Sequence, residues 1–258
     1  MRIIKHIPNT ITSMNLLAGT LGVIFTFDGR MDLAFPMMIA AACFDFCDGL
    51  AARLLGAYSE IGKELDSLAD MVSFGVLPSL MMYCMMDSEC PTRFIPLCIA
   101  VFSALRLAKF NVDEIQHSSF LGMPTPACAM ICGSMVYCAA SGVHPLLRLM
   151  FASQWFAPVA AVLLSMLLVC RIPMFAMKFG KGTDTDRLTN VKRVAFVLSL
   201  IPVAAGVILM RGSWAMIVLL MFSFYILLNL FFAFFRCRCE CILEKLAKFE
   251  ENFNYYKL

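Results

Sequence analysis

Apolar residues run along this chain in long blocks separated by short polar stretches, and each block is too uniformly apolar to be one face of an amphipathic helix on a soluble core. Crossing a bilayer takes about 20 mostly apolar residues. Eight blocks approach that length: Thr10 to Phe27, Leu33 to Leu55, Gly62 to Met86, Phe94 to Phe110, Pro124 to Ala140, Ala152 to Cys170, Val194 to Met210 and Ala215 to Phe235. The pattern predicts an all-α, polytopic integral membrane protein of about eight transmembrane helices. Composition agrees: 61% of the 258 residues are hydrophobic, 15% are charged, and the mean hydropathy is +0.81. A soluble domain carries about 25% charged residues.

Basic residues accumulate in the short cytoplasmic loops of membrane proteins. With the N-terminus inside, the cytoplasmic segments hold 17 of the 21 Lys and Arg residues, and the outer loops hold Arg30, Arg93, Arg148 and Arg211. Both termini are therefore expected in the cytoplasm. The first apolar block is expected to be retained as a span, because no A-x-A site precedes Asp28 and the block carries Asn9, Thr10 and Asn15. Ile3, Ile4 and Ile7 with Arg2 and Lys5 predict a short interfacial helix ended at Pro8. After Phe235, the helical spacing of Ile242, Leu246, Phe249 and Phe253 predicts a second helix lying on the membrane surface.

Polar chemistry is concentrated in one place. Asp45-Phe-Cys-Asp48-Gly49-Leu-Ala-Ala52-Arg53 is followed, after eight residues, by Gly62-Lys-Glu-Leu-Asp66-Ser-Leu-Ala-Asp70. Residues three or four apart share a helix face, so Asp45 pairs with Asp48 on the second span, and Asp66 with Asp70 on the third. If the two spans meet the cytoplasmic interface near Arg53 and Lys63, the 1.5 Å rise per residue puts Asp48 and Asp45 about 7 and 12 Å inside, and Asp66 and Asp70 about 4 and 10 Å inside. All four fall in one layer. Charged groups at such depth need a cation or a water-filled cavity.

Hard oxygen donors with no histidine nearby suit Mg²⁺ or Mn²⁺. Four carboxylates exceed what one such ion needs and match a two-metal site of the kind that clamps a phosphoryl transfer. Gly49, Ala52 and Gly62 leave room for a ligand to approach the backbone, or serve helix packing. Arg53 is placed to meet phosphate oxygens, or flanks the span as a positive-inside residue. Most of the twelve cysteines are scattered singly in apolar blocks, where a thiol behaves as a small apolar side chain. Cys237, Cys239 and Cys241 form a C-x-C-x-C run open to soft-metal binding or acylation, or belonging to a plain juxtamembrane tail.

The spacing from Asp45 to Asp70 resembles the full signature of the CDP-alcohol phosphotransferase family of membrane enzymes. The resemblance implies a six-helix core, a homodimer and a cytosol-facing cavity with two divalent cations, Mg²⁺ or Mn²⁺. It implies that Asp45, Asp48, Asp66 and Asp70 bind metal and that Asp70 is also the general base. It assigns Asp48, Gly49, Ala52, Arg53, Gly62 and Asp66 to the CDP group. On this reading residues 1–180 form the core, 190–235 two additional spans and 236–258 a cytoplasmic amphipathic tail. The host membrane is expected to be the bacterial inner membrane.

Outside the signature, the segments Pro8 to Gly19, Met71 to Pro78, Leu105 to Asn111 and Phe120 to Pro126 resemble the integral membrane phosphatidylserine synthases of that family. This implies CDP-diacylglycerol and L-serine as substrates, with membrane lipids as neighbours and no nucleic-acid partner. A zwitterionic acceptor needs a cation for its carboxylate, which points to Arg106 and Lys109 with Asn111 beyond, each with interfacial anchoring as the alternative. Ser73, one turn past Asp70, lines the acceptor pocket or bonds its own helix. Acceptors bearing a phosphate, such as glycerol 3-phosphate or inositol phosphate, would favour more basic residues. An ion or metal transporter would place its acidic groups near the midplane, often in two repeats.

The charge pattern makes one topological prediction. The segment from Arg171 to Arg193 holds six Lys and Arg residues and is expected on the cytoplasmic side, with the tail after Phe235. A variant whose single cysteine lies near Thr183 should resist an impermeant thiol reagent added to intact cells. Rapid labelling would overturn the eight-span arrangement.

Overall fold

The computed structural model describes residues 6–57, 59–112, 120–170, 172–174, 205–207 and 212–255, from 236 onward by backbone alone. Helix α1 spans Ile7–Phe27 and α2 spans Met31–Leu55. Pro8 sits in the first turn of α1, where its missing N–H costs nothing. It therefore opens the span and does not end an interfacial helix; residues 1–5 of that expected helix lie outside the described residues. Helix α2 closes on Gly56, whose φ of 58° is left-handed. A few residues on, Ser59 caps α3 (Glu60–Asp70), its Oγ accepting from the Gly62 N–H at 3.0 Å.

The third span then departs from regular α geometry. Met71–Val76 forms a π-helical segment before α4 (Leu77–Met85), and together they make one 26-residue apolar helix, Glu60–Met85. Pro78 cannot donate to a carbonyl four residues back, so the wider turn falls where the α-helical ladder is already interrupted. A 3₁₀ segment, Pro91–Leu97, leads into α5 (Cys98–Val112) as the fourth span. Then come α6 (Thr125–Ala140), α7 (Pro145–Ala152), α8 (Phe156–Val169) and α9 (Trp214–Tyr255).

Among the described residues five helices are long and apolar enough to cross a membrane, six if the pair α6 and α7, bent by 103°, counts as one. The fold is all-helical and that of an integral membrane protein. Of the expected fifth and sixth spans, α6 with 16 residues fills its apolar block, whereas α8 with 14 falls short of the block from Ala152 to Cys170. At 1.5 Å per residue these helices are about 24 and 21 Å long, against a hydrocarbon core of about 30 Å. The expected span from Val194 to Met210 lies almost wholly outside the described residues. The surface helix expected after Phe235 is not separate, since α9 runs unbroken for 42 residues. No Gly or Pro occurs within it to stop it.

Helix α6 is the centre of the bundle. Its sequence is rich in Ala, Cys, Gly and Ser, which lets neighbours approach on all sides, and Ala127 to Val136 is buried throughout. Helices α2, α4, α7, α8 and α9 all pack on it. Large apolar side chains such as Phe46 (72% exposed) and Leu54 (77%) point outward, as they do where lipid is the solvent. Helix α1 packs along α2 and against α3, whereas α2 and α3 touch each other less than either touches α1. The two acid-bearing helices are thus held beside a common scaffold with space between them.

A two-residue antiparallel pairing, β1 (Phe120–Leu121) with β2 (Pro173–Met174), ties the entry of α6 to the chain beyond α8. Gly122 follows with φ +82°, and a Cβ there would lie 2.5 Å from the Leu168 carbonyl oxygen. Its N–H donates to Ile172 O at 3.0 Å, and the Met123 N–H donates to Leu167 O at 2.9 Å. This staple fixes where Thr125 begins α6. Gly122→Ala is expected to destabilise the fold by on the order of 2 kcal/mol or more, from strain and overpacking together. Gly142→Ala, at φ +69° with nothing within 4 Å, isolates the strain alone. Thermal unfolding of both purified variants in detergent should show the larger loss at Gly122; equal losses would remove the packing argument.

Candidate active site

Helix α2 projects Asp45 and Asp48, and α3 projects Asp66, toward one another. One carboxylate oxygen from each lies within 4.8 Å of the other two. Asp48 is buried at 6% exposure, and its Oδ2 accepts from Thr12 Oγ1 at 2.6 Å. Three carboxylates this close repel strongly: two unit charges 4 Å apart at an effective dielectric constant near 20 cost about 4 kcal/mol. The all-oxygen donor set, gathered from two helices, fits a hard divalent cation.

Asp70 stands outside that 4.8 Å set and is held differently. Its Oδ1 accepts from Asn15 Nδ2 at 3.2 Å, while Asn15 Oδ1 accepts from Ser73 Oγ at 2.8 Å. Asp70 is nevertheless within electrostatic reach of Asp45, Asp66 and Asp48. Ser73 lies in the π-helical segment and, three residues beyond Asp70, faces the same residue of α1. Ser73 therefore neither lines an open pocket nor bonds its own helix; it braces Asn15, which braces Asp70. Gly19 allows this contact, because a Cβ there would lie 2.2 Å from Ser73 Oγ.

The small residues of the signature differ in what their smallness serves. At Gly49 a Cβ would meet nothing closer than Arg53 Nη2 at 3.9 Å, so space is open beside the acidic cluster. At Gly62 it would lie 2.9 Å from both Asn9 Oδ1 and Ser59 Oγ, so there the lack of a side chain serves the capped turn and its contact with α1. Ala52 is half-buried, and Arg53 is exposed at the end of α2.

Of the basic and amide groups on α5, Arg106 faces the acidic site. Its guanidinium is within electrostatic reach of Asp70, Tyr225 and Cys128, and its Nη1 donates to Thr125 Oγ1 at 3.2 Å. Its Nε is buried with no hydrogen-bond partner among the described residues. Lys109 is exposed. Asn111 is taken up in tying α5 to α3: its Nδ2 donates to Ser67 Oγ at 2.9 Å and its carbonyl accepts from Lys63 Nζ at 3.2 Å.

Thr12, Asn15, Thr125 and Tyr225 are site residues that sequence reasoning did not single out. The first two carry a legible signal, since Thr12, Asn15, Gly19 and Gly22 recur at helical spacing and are all buried on one face of α1. Thr125 and Tyr225 reach Arg106 only through tertiary packing and carry no such signal.

Comparison with known proteins agrees with this geometry. The chain is 33% identical over 219 residues to a CDP-diacylglycerol--serine O-phosphatidyltransferase of Mycobacterium leprae, covering 80% of this chain and 68% of that one. A protein of the same description from Bacillus subtilis is 38% identical over 129 residues, covering 49% of this chain and 72% of the relative. An archaetidylserine synthase of Methanothermobacter thermautotrophicus is 32% identical over 134 residues, covering 50% and 56%. The CDP-alcohol phosphatidyltransferase profile matches residues 5–167, well over half of the chain and every helix that contributes an aspartate. The chain belongs to the CDP-alcohol phosphatidyltransferase family.

Proposed function

We propose that the protein transfers the phosphatidyl group of CDP-diacylglycerol to L-serine, giving phosphatidylserine and CMP. The serine hydroxyl oxygen forms the new bond to the lipid-bearing phosphorus, the bond from that phosphorus to the CMP oxygen breaks, and the hydroxyl proton passes to Asp70. A neutral hydroxyl is a poor nucleophile, so a carboxylate held beside it supplies the base. The Asn15 to Ser73 chain keeps the Asp70 carboxylate directed. Divalent cations, two of Mg²⁺ or Mn²⁺ held by Asp45, Asp48 and Asp66 with Asp70 alongside, supply positive charge against the diphosphate. Asp48, Gly49, Ala52, Arg53, Gly62 and Asp66 line the CDP side, with the open space at Gly49 and the exposed Arg53 supporting a nucleotide approaching from the mouth of α2.

The observation that carries the acceptor assignment is Arg106. A buried guanidinium nitrogen without a partner among the described residues, within reach of the proposed base, suits the carboxylate of an amino acid. Acceptors bearing a phosphate would call for more cationic groups at Asp70, and Lys109 is exposed. The same reading places the site on the cytoplasmic side of a bacterial inner membrane, with a homodimer as the working unit.

Two measurements test the reading. Asp45→Asn should lower turnover by orders of magnitude, because groups that act as a unit fail together; near-full activity at saturating Mg²⁺ and Mn²⁺ would remove the metal assignment. Arg106→Ala should raise the KM for serine while leaving that for CDP-diacylglycerol nearly unchanged. Losing one charge-assisted hydrogen bond costs about 1.5 to 3 kcal/mol, roughly 10- to 150-fold in kcat/KM. Turnover of glycerol 3-phosphate with none of serine would refute the acceptor.

A further inference from the structure

Helix α9 lies beyond residue 167, where the family match ends. Its spanning part is strongly apolar, yet its buried face carries Tyr225 at 2% exposure and Asn229 at 0%. Polar groups buried on a spanning helix are costly unless they have partners. Asn229 Nδ2 donates to the Tyr225 carbonyl at 2.8 Å, and the two side chains are hydrogen-bonded to each other. The phenol is also within electrostatic reach of Arg106.

The register of α9 explains how Tyr225 arrives there. Trp214 stacks on Phe35 of α2 with ring centroids 5.3 Å apart, and it meets Tyr137 of α6 at 5.1 Å. From Trp214 to Tyr225 is eleven residues, about 16 Å of helix. From Tyr137 back to Thr125 on α6 is twelve, about 18 Å. An α9 pinned at Trp214 therefore delivers Tyr225 to the level of Thr125, the residue that accepts from Arg106.

We propose that Tyr225 is a positioning residue for the acceptor. Its phenol oxygen, oriented by Asn229, holds the Arg106 guanidinium, and Arg106 in turn receives the acceptor's carboxylate. The last helix thus completes a pocket selective for a carboxylate-bearing hydroxy compound. The proposal rests on the reading of Arg106 given above. A buried guanidinium gains from each acceptor that fixes its plane, because only a fixed plane pairs with a carboxylate through two parallel bonds.

The test uses the full-length protein in detergent with CDP-diacylglycerol, comparing L-serine with serinamide, which lacks the carboxylate. Tyr225→Phe keeps the ring and its packing while removing the oxygen. It should raise the KM for serine 3- to 10-fold, leave the KM for CDP-diacylglycerol and the melting temperature unchanged, and narrow the preference for serine over serinamide by a similar factor. In an Arg106→Ala background the same change should add nothing. Equal rises in both KM values, or a full multiplicative effect in that background, would overturn the proposal. If Arg106→Ala raises the serine KM and Tyr225→Phe does not, the role of Tyr225 falls alone. If Arg106→Ala leaves it unaltered, the acceptor assignment itself falls.

Discussion

Repulsion among carboxylates gathered in an apolar layer is the constraint on which the rest of the structure depends. Each close pair costs about 4 kcal/mol without compensation, and a folded domain has a net stability of only about 5 to 15 kcal/mol. Asp45, Asp48 and Asp66, with oxygens within 4.8 Å of one another, therefore imply both bound positive charge and a rigid frame that keeps the helices from parting. Helix α1 is that frame. It packs on α2 and α3 at once, fixes Asp48 through Thr12 and Asp70 through Asn15, and has Gly19 where Ser73 must come closest.

A division of labour among the aspartates follows. Three converge on a common point, while the fourth is drawn toward an amide. In the proposed reaction Asp70 receives a proton, and a carboxylate in that role should keep an oxygen free of metal, while a neutral hydrogen-bond donor orients it without cancelling its charge. Asn15 is such a donor; a lysine or arginine there would bind the carboxylate as an ion pair and weaken it as a base. Ser73, in the π-helical segment after Asp70, serves the same end by donating to Asn15 Oδ1 at 2.8 Å. Such segments recur at functional sites.

The parts of this arrangement that depend on local spacing were legible in the sequence. The pairing of Asp45 with Asp48 and of Asp66 with Asp70 needs only helix periodicity, and the approximate extents of α1, α2 and the third span follow from apolar length; the caps at Gly56 and Ser59, and Pro8 as an opening residue, came from the structure. What escaped reading depends on contacts distant in sequence. Ser73 looked like a pocket residue because it shares a face with Asp70, yet at that point the face is closed by Asn15 of α1. Asn111 looked like a substrate ligand, yet Ser67 and the Lys63 ammonium occupy it across 44 and 48 residues of sequence. The continuous α9 reads as two helices in the sequence because the apolar stripe of Ile242, Leu246, Phe249 and Phe253 resembles a separate surface helix, although no helix breaker precedes it.

Arg106 shows why the acceptor side of such an enzyme is harder to read than its nucleotide side. The residues proposed to face CDP sit on two helices joined by a short capped turn, so their relative placement is encoded within some 25 residues of sequence. Arg106 depends instead on α5 for its position and on Thr125 of α6 for a hydrogen bond, with Tyr225 of α9 within electrostatic reach. The Gly122 staple sets where Thr125 begins, and Trp214 sets the register of Tyr225. A pocket assembled, as proposed, from three helices this far apart in sequence could change its acceptor by altering any one of them without touching the acidic signature. If Arg106 receives the acceptor as proposed, the packing around it sets acceptor choice, at a distance in sequence from the acidic signature.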